Sequence, residues 1–199
     1  NATQRAQALS TYGEINTWCT INVTDVTSLF ENKTTFNDDI SNWDMSNVET
    51  MYSMFQNAYA FNQDIGAWNV SSVVNMDQMF YGARSFNKDI GAWDVSSVTV
   101  MRRMFAGATA FNQYIGAWDT SRVYQMHYMF SSTDSFNQDI STKLVTVNGV
   151  DYTAWDVSNV TIQNNMVFMF SSAISFNQDI SNWCVTTITS APYAFSSNS

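Results

Sequence analysis

The sequence predicts an α/β repeat solenoid of about seven strand-helix rungs, with a parallel sheet on one face and one inserted β-hairpin. Three motifs recur every 25 residues: the phrase Phe-Asn-x-x-Ile, a single Trp, and the run Met-x-x-Met-Phe. A strand-helix unit of this length cannot bury its apolar face alone, so it gains cover only by stacking on its neighbours. The first motif opens at Phe36, Phe61, Phe86, Phe111 and Phe136.

Each repeat is predicted to begin with a short strand and to continue into a helix. Polar and apolar residues alternate around Asp44, which predicts a strand with Trp43 and Met45 facing inward. Ser46 stands where a helix N-cap belongs, and Glu49 completes a Ser-x-x-Glu capping box. The apolar residues that follow have helical spacing: Val48, Met51, Met54, Phe55 and Ala58.

Two further rows of residues are predicted to be structural. The Asn after each repeat Phe, from Asn37 to Asn177, occupies a turn, and we expect its side-chain amide to bond backbone groups of its own and the next rung. Ten of the eleven Met residues occur at the same two positions of the repeat. Because soft Met side chains fill gaps between aromatic rings, these rows are interpreted as core rather than as a metal or cofactor box.

The period defines one repeat domain, predicted for residues 11–199, after an N-terminal segment at residues 1–10. Residues 141–154 interrupt this domain as an insertion. The dipeptide Asn148-Gly149 lies there between β-prone residues, which predicts a hairpin that projects from the solenoid.

The composition limits the partners of the chain. Seventeen acidic residues against eight basic ones give a net charge of −9, so we expect no binding to nucleic acid or to anionic membrane surfaces. No apolar run is long enough to span a bilayer. The chain begins at Asn1 rather than Met, from which we expect a processed mature product or a fragment.

Five Asn-x-Ser/Thr sequons fit an extracellular glycoprotein, either secreted or displayed at the cell surface. In a chain so rich in Asn, Ser and Thr, several sequons also arise by chance. The candidate glycosylation sites are Asn1, Asn22, Asn32, Asn69 and Asn159.

Two acidic rows run along the repeats and form the one candidate cation site. The first contains Asp44, Asp94, Asp119 and Asp156, and the second contains Asp39, Asp64, Asp89, Asp139 and Asp179. A Ca²⁺ ion would relieve the repulsion between stacked carboxylates. Because Asn69 and Tyr114 interrupt the rows, we favour turn capping for the second row and a solvated face for the first. We therefore expect no cofactor, with Ca²⁺ as the alternative.

The inventory of catalytic residues is poor, so we expect that the chain is not an enzyme. His127 is the only His, and no motif places a Ser or Cys nucleophile beside it, so it is predicted to be a surface residue. Carboxylate pairs of the glycosidase kind stay open as an alternative, because an acidic ladder offers suitable separations. An active site, however, normally breaks a repeat, whereas these acids follow it.

The phrases Phe-Asn-Gln-Asp-Ile-Gly-Ala-Trp-Asn-Val-Ser-Ser-Val and Met-x-x-Met-Phe-x-x-Ala closely resemble the BspA-like branch of leucine-rich repeats, also called the Mycoplasma-type surface-protein repeat. The resemblance covers the chain from Thr11 to Phe195, apart from the hairpin. It implies a leucine-rich-repeat-like fold and a surface-displayed or secreted protein with an adhesion or matrix role and no enzymatic activity. It implies no particular ligand.

Neither end of the repeat array has an obvious polar cap, which predicts assembly. Trp18 and Trp183 still mark the terminal repeats, and an open repeat of one molecule can stack on that of the next, giving a filament. Cys19 and Cys184 each follow a terminal Trp. Six rungs of ~4.8 Å separate the two cysteines by roughly 29 Å, too far for a bond within one chain.

A head-to-tail junction would make the same two cysteines adjacent, so an intermolecular disulfide is predicted. Free thiols, or pairing with segments outside this chain, are the alternatives. Arg102 and Arg103 break the repeat on the outer face of the fourth predicted helix and are expected to contact a neighbouring acidic subunit. The candidate interface residues are Trp18, Trp183, Phe195, Asn148, Gly149, Arg102 and Arg103.

Two functions follow from these features. The first is an extracellular structural protein, the subunit of a head-to-tail homopolymer that forms a surface filament or matrix. The second is a monomeric cell-surface adhesin or ligand-binding module whose exposed parallel sheet, lined by Ala67, Ala92 and Ala117, holds a protein or glycan. The first is preferred, because a flat face with few exposed rings makes a weak lectin.

Overall fold

A computed structural model describes residues 2–185 and residues 188, 192, 193 and 195. Helix α1 precedes the first repeat, and the insertion forms an antiparallel pair of strands. In chain order the elements are α1 (Ala2–Tyr12), a 3-10 turn (Ile15–Thr17), β1 (Lys143–Val147), β2 (Val150–Ala154) and a second 3-10 turn (Gln163–Asn165). Within the described residues, the repeats contain neither α-helix nor extended strand.

Each repeat is a succession of tight turns. In the repeat that contains Trp43, six backbone N–H groups donate to the carbonyl three residues earlier, over 3.0–3.1 Å. This is the hydrogen bond of a β-turn, and an α-helix would bond four residues back. The accepting carbonyls belong to Ile40, Met45, Met51, Ser53, Phe55 and Ala58.

Alternate N–H groups bond to the next repeat instead of to their own. Met51 donates to the carbonyl of Asn75 over 2.9 Å, and Phe55 donates to that of Met79 over the same distance. The pattern recurs through the stack, with single parallel bridges such as that between Thr50 and Asn75. The N–H groups of one repeat thus find carbonyl partners in the next, since buried polar groups need hydrogen bonds.

The predicted α/β solenoid of seven strand-helix rungs with a parallel sheet is therefore wrong. Ser53 and Asn57 have positive φ angles of 52° and 55°, in the left-handed region that an α-helix cannot contain. Among the described residues, parallel pairing is limited to isolated bridges, and they form no parallel sheet. Positive φ also occurs at the equivalent Ser28, Asn32, Gln78, Gly82, Arg103, Gly107, Tyr128, Ser132, Phe168 and Ser172.

The residue predicted as a helix N-cap has a different task. The Ser46 N–H and hydroxyl both donate to the Asp44 carboxylate, over 2.9 and 2.6 Å, so Asp44 closes a turn and no helix follows. The helical spacing of the apolar residues after it has another cause. Successive tight turns also bring a side chain back to the interior every three or four residues.

Stacked aromatic rings form the core. Phe80 lies 5.6 Å from Phe55 and 5.7 Å from Phe105 in adjacent repeats, and 3.9 Å from Phe86 in its own. Each interior Trp packs beside these rows and donates its indole N–H to an Ile carbonyl of the preceding repeat, as Trp93 does to Ile65 over 3.1 Å. All eleven Met side chains are buried, as predicted for core residues.

The Asn after each repeat Phe links neighbouring repeats. The Asn62 side-chain oxygen accepts the backbone N–H of Asn87 over 3.0 Å, and the Asn87 oxygen accepts that of Asn112 over 3.0 Å. The predicted bond from this Asn to the next repeat is confirmed. The amide oxygens thus satisfy a row of turn N–H groups that have no carbonyl partner among the described residues.

The insertion forms the predicted hairpin on Asn148-Gly149, whose φ angles of 53° and 79° suit a two-residue turn. It does not simply project from the stack. The Tyr152 hydroxyl donates to the Ala117 carbonyl over 2.5 Å, and the ammonium of Lys143 contacts Asp139 at 2.7 Å. These contacts hold the hairpin over the preceding repeats.

We predict that Phe80→Ala destabilises the protein by about 3–5 kcal/mol, because it removes a fully buried ring from the centre of the stack. Urea unfolding measures the change. Leu144→Ala, at a side chain 74% exposed on the hairpin, is the control and should stay within about 0.5 kcal/mol of the parent. Equal stability of the two variants would contradict a core built on ring stacking.

Candidate functional site

The first repeat has an incompletely covered face. The Trp18 ring stacks on Trp43 at 6.4 Å, and its indole N–H donates to the Tyr12 carbonyl over 3.1 Å at the end of α1. Elsewhere in the stack, an Ile carbonyl of the preceding repeat accepts the indole N–H; here the Tyr12 carbonyl accepts it instead. Trp18 is nevertheless 42% exposed, whereas Trp43 is 5% exposed. The Cys19 thiol beside it is exposed and unpaired.

Backbone carbonyls are open on the same face. In the second repeat the carbonyls of Thr50 and Tyr52 accept N–H groups from the first repeat, over 3.2 and 2.9 Å. Their equivalents in the first repeat, Asp25 and Thr27, accept no backbone hydrogen bond from any described residue. Leu29 is also exposed there, so this face combines apolar surface with unpaired backbone acceptors.

The last repeat carries the second cysteine. Cys184 is exposed and unpaired, so the structure does not join it to Cys19. Trp183 is half-buried and stacks on Trp155 at 5.9 Å, while Phe195 is half-buried and meets Trp183 edge-on at 6.5 Å. The two cysteines thus occupy equivalent positions, each after the Trp of its repeat.

Both acidic rows close turns. The Asp39 carboxylate accepts the backbone N–H of Ser41, just as Asp44 accepts that of Ser46. The Ser41 N–H lowers the pKa of the Asp39 carboxyl, and the Ser46 hydroxyl followed by the Ser46 N–H lowers that of Asp44. The first row is therefore not merely a solvated face. Among the described residues, no group of three or more acidic, His or Cys side chains could hold a metal ion.

The candidate glycosylation sites lie at the surface wherever they are described. Asn1 falls outside the described residues. The other four candidates all have exposed side chains: Asn22, Asn32, Asn69 and Asn159.

In one row of equivalent positions, three successive repeats hold titratable side chains. The sequence-based predictions did not relate these side chains to one another. Asp77, Arg102 and His127 are 25 residues apart and occupy equivalent positions in three repeats. Both Nε and Nη2 of Arg102 donate to the same oxygen of the buried Asp77 carboxylate, and the other oxygen is buried without a partner. The 25-residue interval was the signal that could have found this row.

The two arginines do not lie on the predicted helix, and Arg102 pairs with Asp77. Their contact with a neighbouring subunit stays a prediction. The Arg103 guanidinium lies over the Tyr128 ring at 4.8 Å. His127 is not a surface residue either, because it is half-buried and its Nδ1 is buried without a partner.

A groove of about 370 Å³ separates the hairpin from the preceding repeats. Asn148 at the hairpin tip lines it, whereas Gly149 faces open space. Burial, together with the nearby charges of Asp119 and Asp94, raises the pKa of Tyr152 in this groove. The rest of its lining includes Ala92, Ala117, Val147 and Val150. The predicted sheet face with Ala67, Ala92 and Ala117 exists only as turns.

Helix α1 has eleven residues, and nowhere in the described part of the chain does a helix reach the length and apolarity that a bilayer crossing needs.

A family model described as "Mycoplasma protein of unknown function, DUF285" matches the chain twice, over residues 1–101 and 87–199. The two matches together cover the whole sequence, including the repeats and the hairpin. No curated protein and no solved structure matches the chain.

We predict that the protein loses stability as the pH falls below about 6.5, because burial first, and then the charges of Arg102 and Arg103, lower the pKa of His127 from its ordinary 6.5. The unfolded chain protonates His127 more readily than the folded chain does. Neutral His127 therefore contributes fully to the free energy of unfolding above pH 6.5, and this contribution decreases as the pH falls from 6.5 through the lowered pKa. Urea unfolding at several pH values measures the loss, and His127→Gln should remove this component.

As the only His, His127 also gives a single imidazole signal in a proton NMR titration, which reads its pKa directly. A value at or above 6.5 would contradict the burial described here.

Proposed function

We propose that this chain, which belongs to the DUF285 family of Mycoplasma proteins, is an extracellular structural protein that assembles head to tail into a surface filament or matrix. The observation that carries the proposal is the uncovered Trp18, 42% exposed in a row whose five interior members are at most 5% exposed. The interior Trp rings are buried between repeats, whereas Trp18 stacks on Trp43 and has only the edge-on ring of Tyr12, at 6.4 Å, in place of a preceding repeat. A second copy of the chain is the partner whose repeat matches it in shape.

The backbone of the first repeat supports the same partner. The open carbonyls of Asp25 and Thr27 are where a preceding repeat would donate its N–H groups, at the spacing that interior repeats use. A further repeat would also cover the exposed Leu29. Such a contact uses different surfaces on the two molecules and does not close, so it propagates as a filament.

The cysteines would lock this junction. Equivalent Phe rings in adjacent repeats lie 5.5–6.0 Å apart, as between Phe130 and Phe170 or Phe136 and Phe176. A disulfide needs Cα atoms about 4.4–6.8 Å apart. If Cys184 of one molecule and Cys19 of the next continue this spacing, their backbones fall within that range. Persisting disulfides fit an extracellular location.

A non-enzymatic role is part of the proposal. His127 lies in a row with Arg102 and Asp77, and its ring contacts Tyr128 edge-on at 6.0 Å. The acidic side chains of the turn rows are engaged in closing turns. These placements support a scaffold rather than a catalyst.

A second candidate is a monomeric ligand-binding module or adhesin, and the groove beneath the hairpin favours it. The groove is lined by the exposed apolar side chains of Val147 and Val150 and by the acidic residues Asp94 and Asp119. A ligand with an apolar part and a donor group would suit this lining.

Non-reducing electrophoresis of the oxidised protein, paired with electron microscopy, tests the choice. We expect a ladder of disulfide-linked multimers and fibres that shorten with reductant. Cys19→Ser and Cys184→Ser should each abolish the ladder and leave monomer on the gel, because every head-to-tail bond needs one thiol of each kind. A wild-type chain that stays monomeric without fibres would overturn assembly and favour the binding module.

Trp18→Asp tests the stacking contact separately from the disulfide. We expect it to abolish fibres under reducing conditions, because a carboxylate cannot stack against an apolar repeat. Tyr124→Asp is the matched control, since Tyr124 is 43% exposed on an interior repeat. Fibres that survive Trp18→Asp, or equal loss in the two variants, would contradict the proposed junction.

A further inference from the structure

A cleft opens where two glycines interrupt a row of larger residues. Gly82 and Gly107 occupy the position that holds Asn57 in the repeat before them and Ser132 in the repeat after. The cleft has a volume of about 340 Å³, at the lower end of the range of roughly 300–1,000 Å³ for small-ligand pockets. Its lining includes Tyr81, Arg84, Arg103, Tyr128, Ser131 and Ser132.

The backbone does not require glycine at position 107. Gly107 has a φ of 70°, but Asn57 and Ser132 adopt φ angles of 55° and 54° at the equivalent positions. A Cβ at Gly107 would approach nothing closer than the Gly82 Cα at 3.6 Å, which is ordinary contact. Gly82 differs, because its Cβ would meet the Asn57 side-chain oxygen at 2.5 Å. Neither the backbone nor the packing therefore requires glycine at position 107, and the absence of a side chain there keeps the cleft open.

Two cations flank this space in a chain with only eight basic residues. The Arg84 guanidinium lies over the Tyr59 ring at 4.4 Å, and that of Arg103 lies over Tyr128 at 4.8 Å. Neither forms an ion pair with a described carboxylate, whereas the neighbouring Arg102 does. The rings hold both guanidinium groups in place and leave their N–H donors for an anion.

The backbone N–H groups of the two glycines in the cleft are not available to an anion. The Gly82 and Gly107 N–H groups donate to the carbonyls of Ala106 and Ser131, each over 2.8 Å. No backbone nest of the kind that cradles phosphate is therefore formed by these glycines. An anion in this cleft is therefore bound by side chains, and the planar fork of Arg matches a carboxylate as it does a phosphate.

The remaining lining suits a sugar ring. Tyr81 is 37% exposed and offers an aromatic face, on which apolar sugar faces pack. Ser131 and Ser132 supply hydroxyls beside it, and Asn57 supplies an amide. We propose that this cleft binds a carboxylate-bearing sugar residue, of the uronic acid class. The site lies on interior repeats, so it is independent of head-to-tail assembly.

Titration with a glucuronate-terminated disaccharide, and with its glucose-terminated counterpart, tests the assignment by NMR chemical shifts. We expect the acidic sugar to bind at least about ten-fold more tightly, and less tightly at high salt, because charge-assisted hydrogen bonds distinguish the two. Arg84→Gln and Arg103→Gln should each weaken binding by about ten-fold or more. Arg122→Gln, at an exposed arginine outside the cleft, is the matched control and should bind as the parent does.

Gly107→Asn fills the cleft while every charge is kept. The variant should fold, because Asn57 and Asn32 adopt the same backbone conformation in the same row, and it should lose the acidic sugar. Equal binding of both disaccharides, equal loss in Arg122→Gln, or full binding by a folded Gly107→Asn would overturn the site. Inorganic phosphate that competes as strongly as the uronate would overturn the assignment to a sugar.

Discussion

Backbone hydrogen bonds between neighbouring repeats are the interaction on which the rest of this structure depends. Alternate residues such as Met51 and Phe55 donate to carbonyls 24 residues ahead, while the residues between them close tight turns. A chain of turns leaves many N–H groups without an internal partner, and only another repeat in register can supply one. The same register brings equivalent rings, such as Phe55 and Phe80, to 5.6 Å. Hydrogen bonding and aromatic packing thus require each other.

Stacking in register turns each position of the repeat into a row, and this constrains which side chains a row can hold. Asn suits such a row, because the Asn62 side-chain oxygen accepts a backbone N–H of the next repeat at Asn87. Carboxylates would repel one another, but here each accepts an N–H two residues ahead, as Asp44 does from Ser46. New chemistry arises where a row is broken, since the substituted residue then lies beside its equivalents. The pair of Asp77 and Arg102 is one such break.

The period allowed much of the molecule to be predicted. It identified the buried Trp, Phe and Met rows, the hairpin on Asn148-Gly149 and the bond from each Asn to the next repeat. The local elements were predicted wrongly, because consecutive turns give Met51, Met54 and Phe55 the same inward spacing as a helix. His127 was misassigned to the surface, because its neighbours come from other repeats rather than from its own segment.

The sequence by itself determined which residues share a row, which of them face inward and where the repeat is interrupted, because a 25-residue period is visible without coordinates. Only the tertiary structure decided the backbone conformation and the groupings that span rows. The partner of each alternate N–H lies in a different repeat, so no local pattern reports whether the chain coils into a helix or turns. The cleft beside Arg84 and Arg103 depends likewise on side chains from several repeats meeting around an absent one at Gly107.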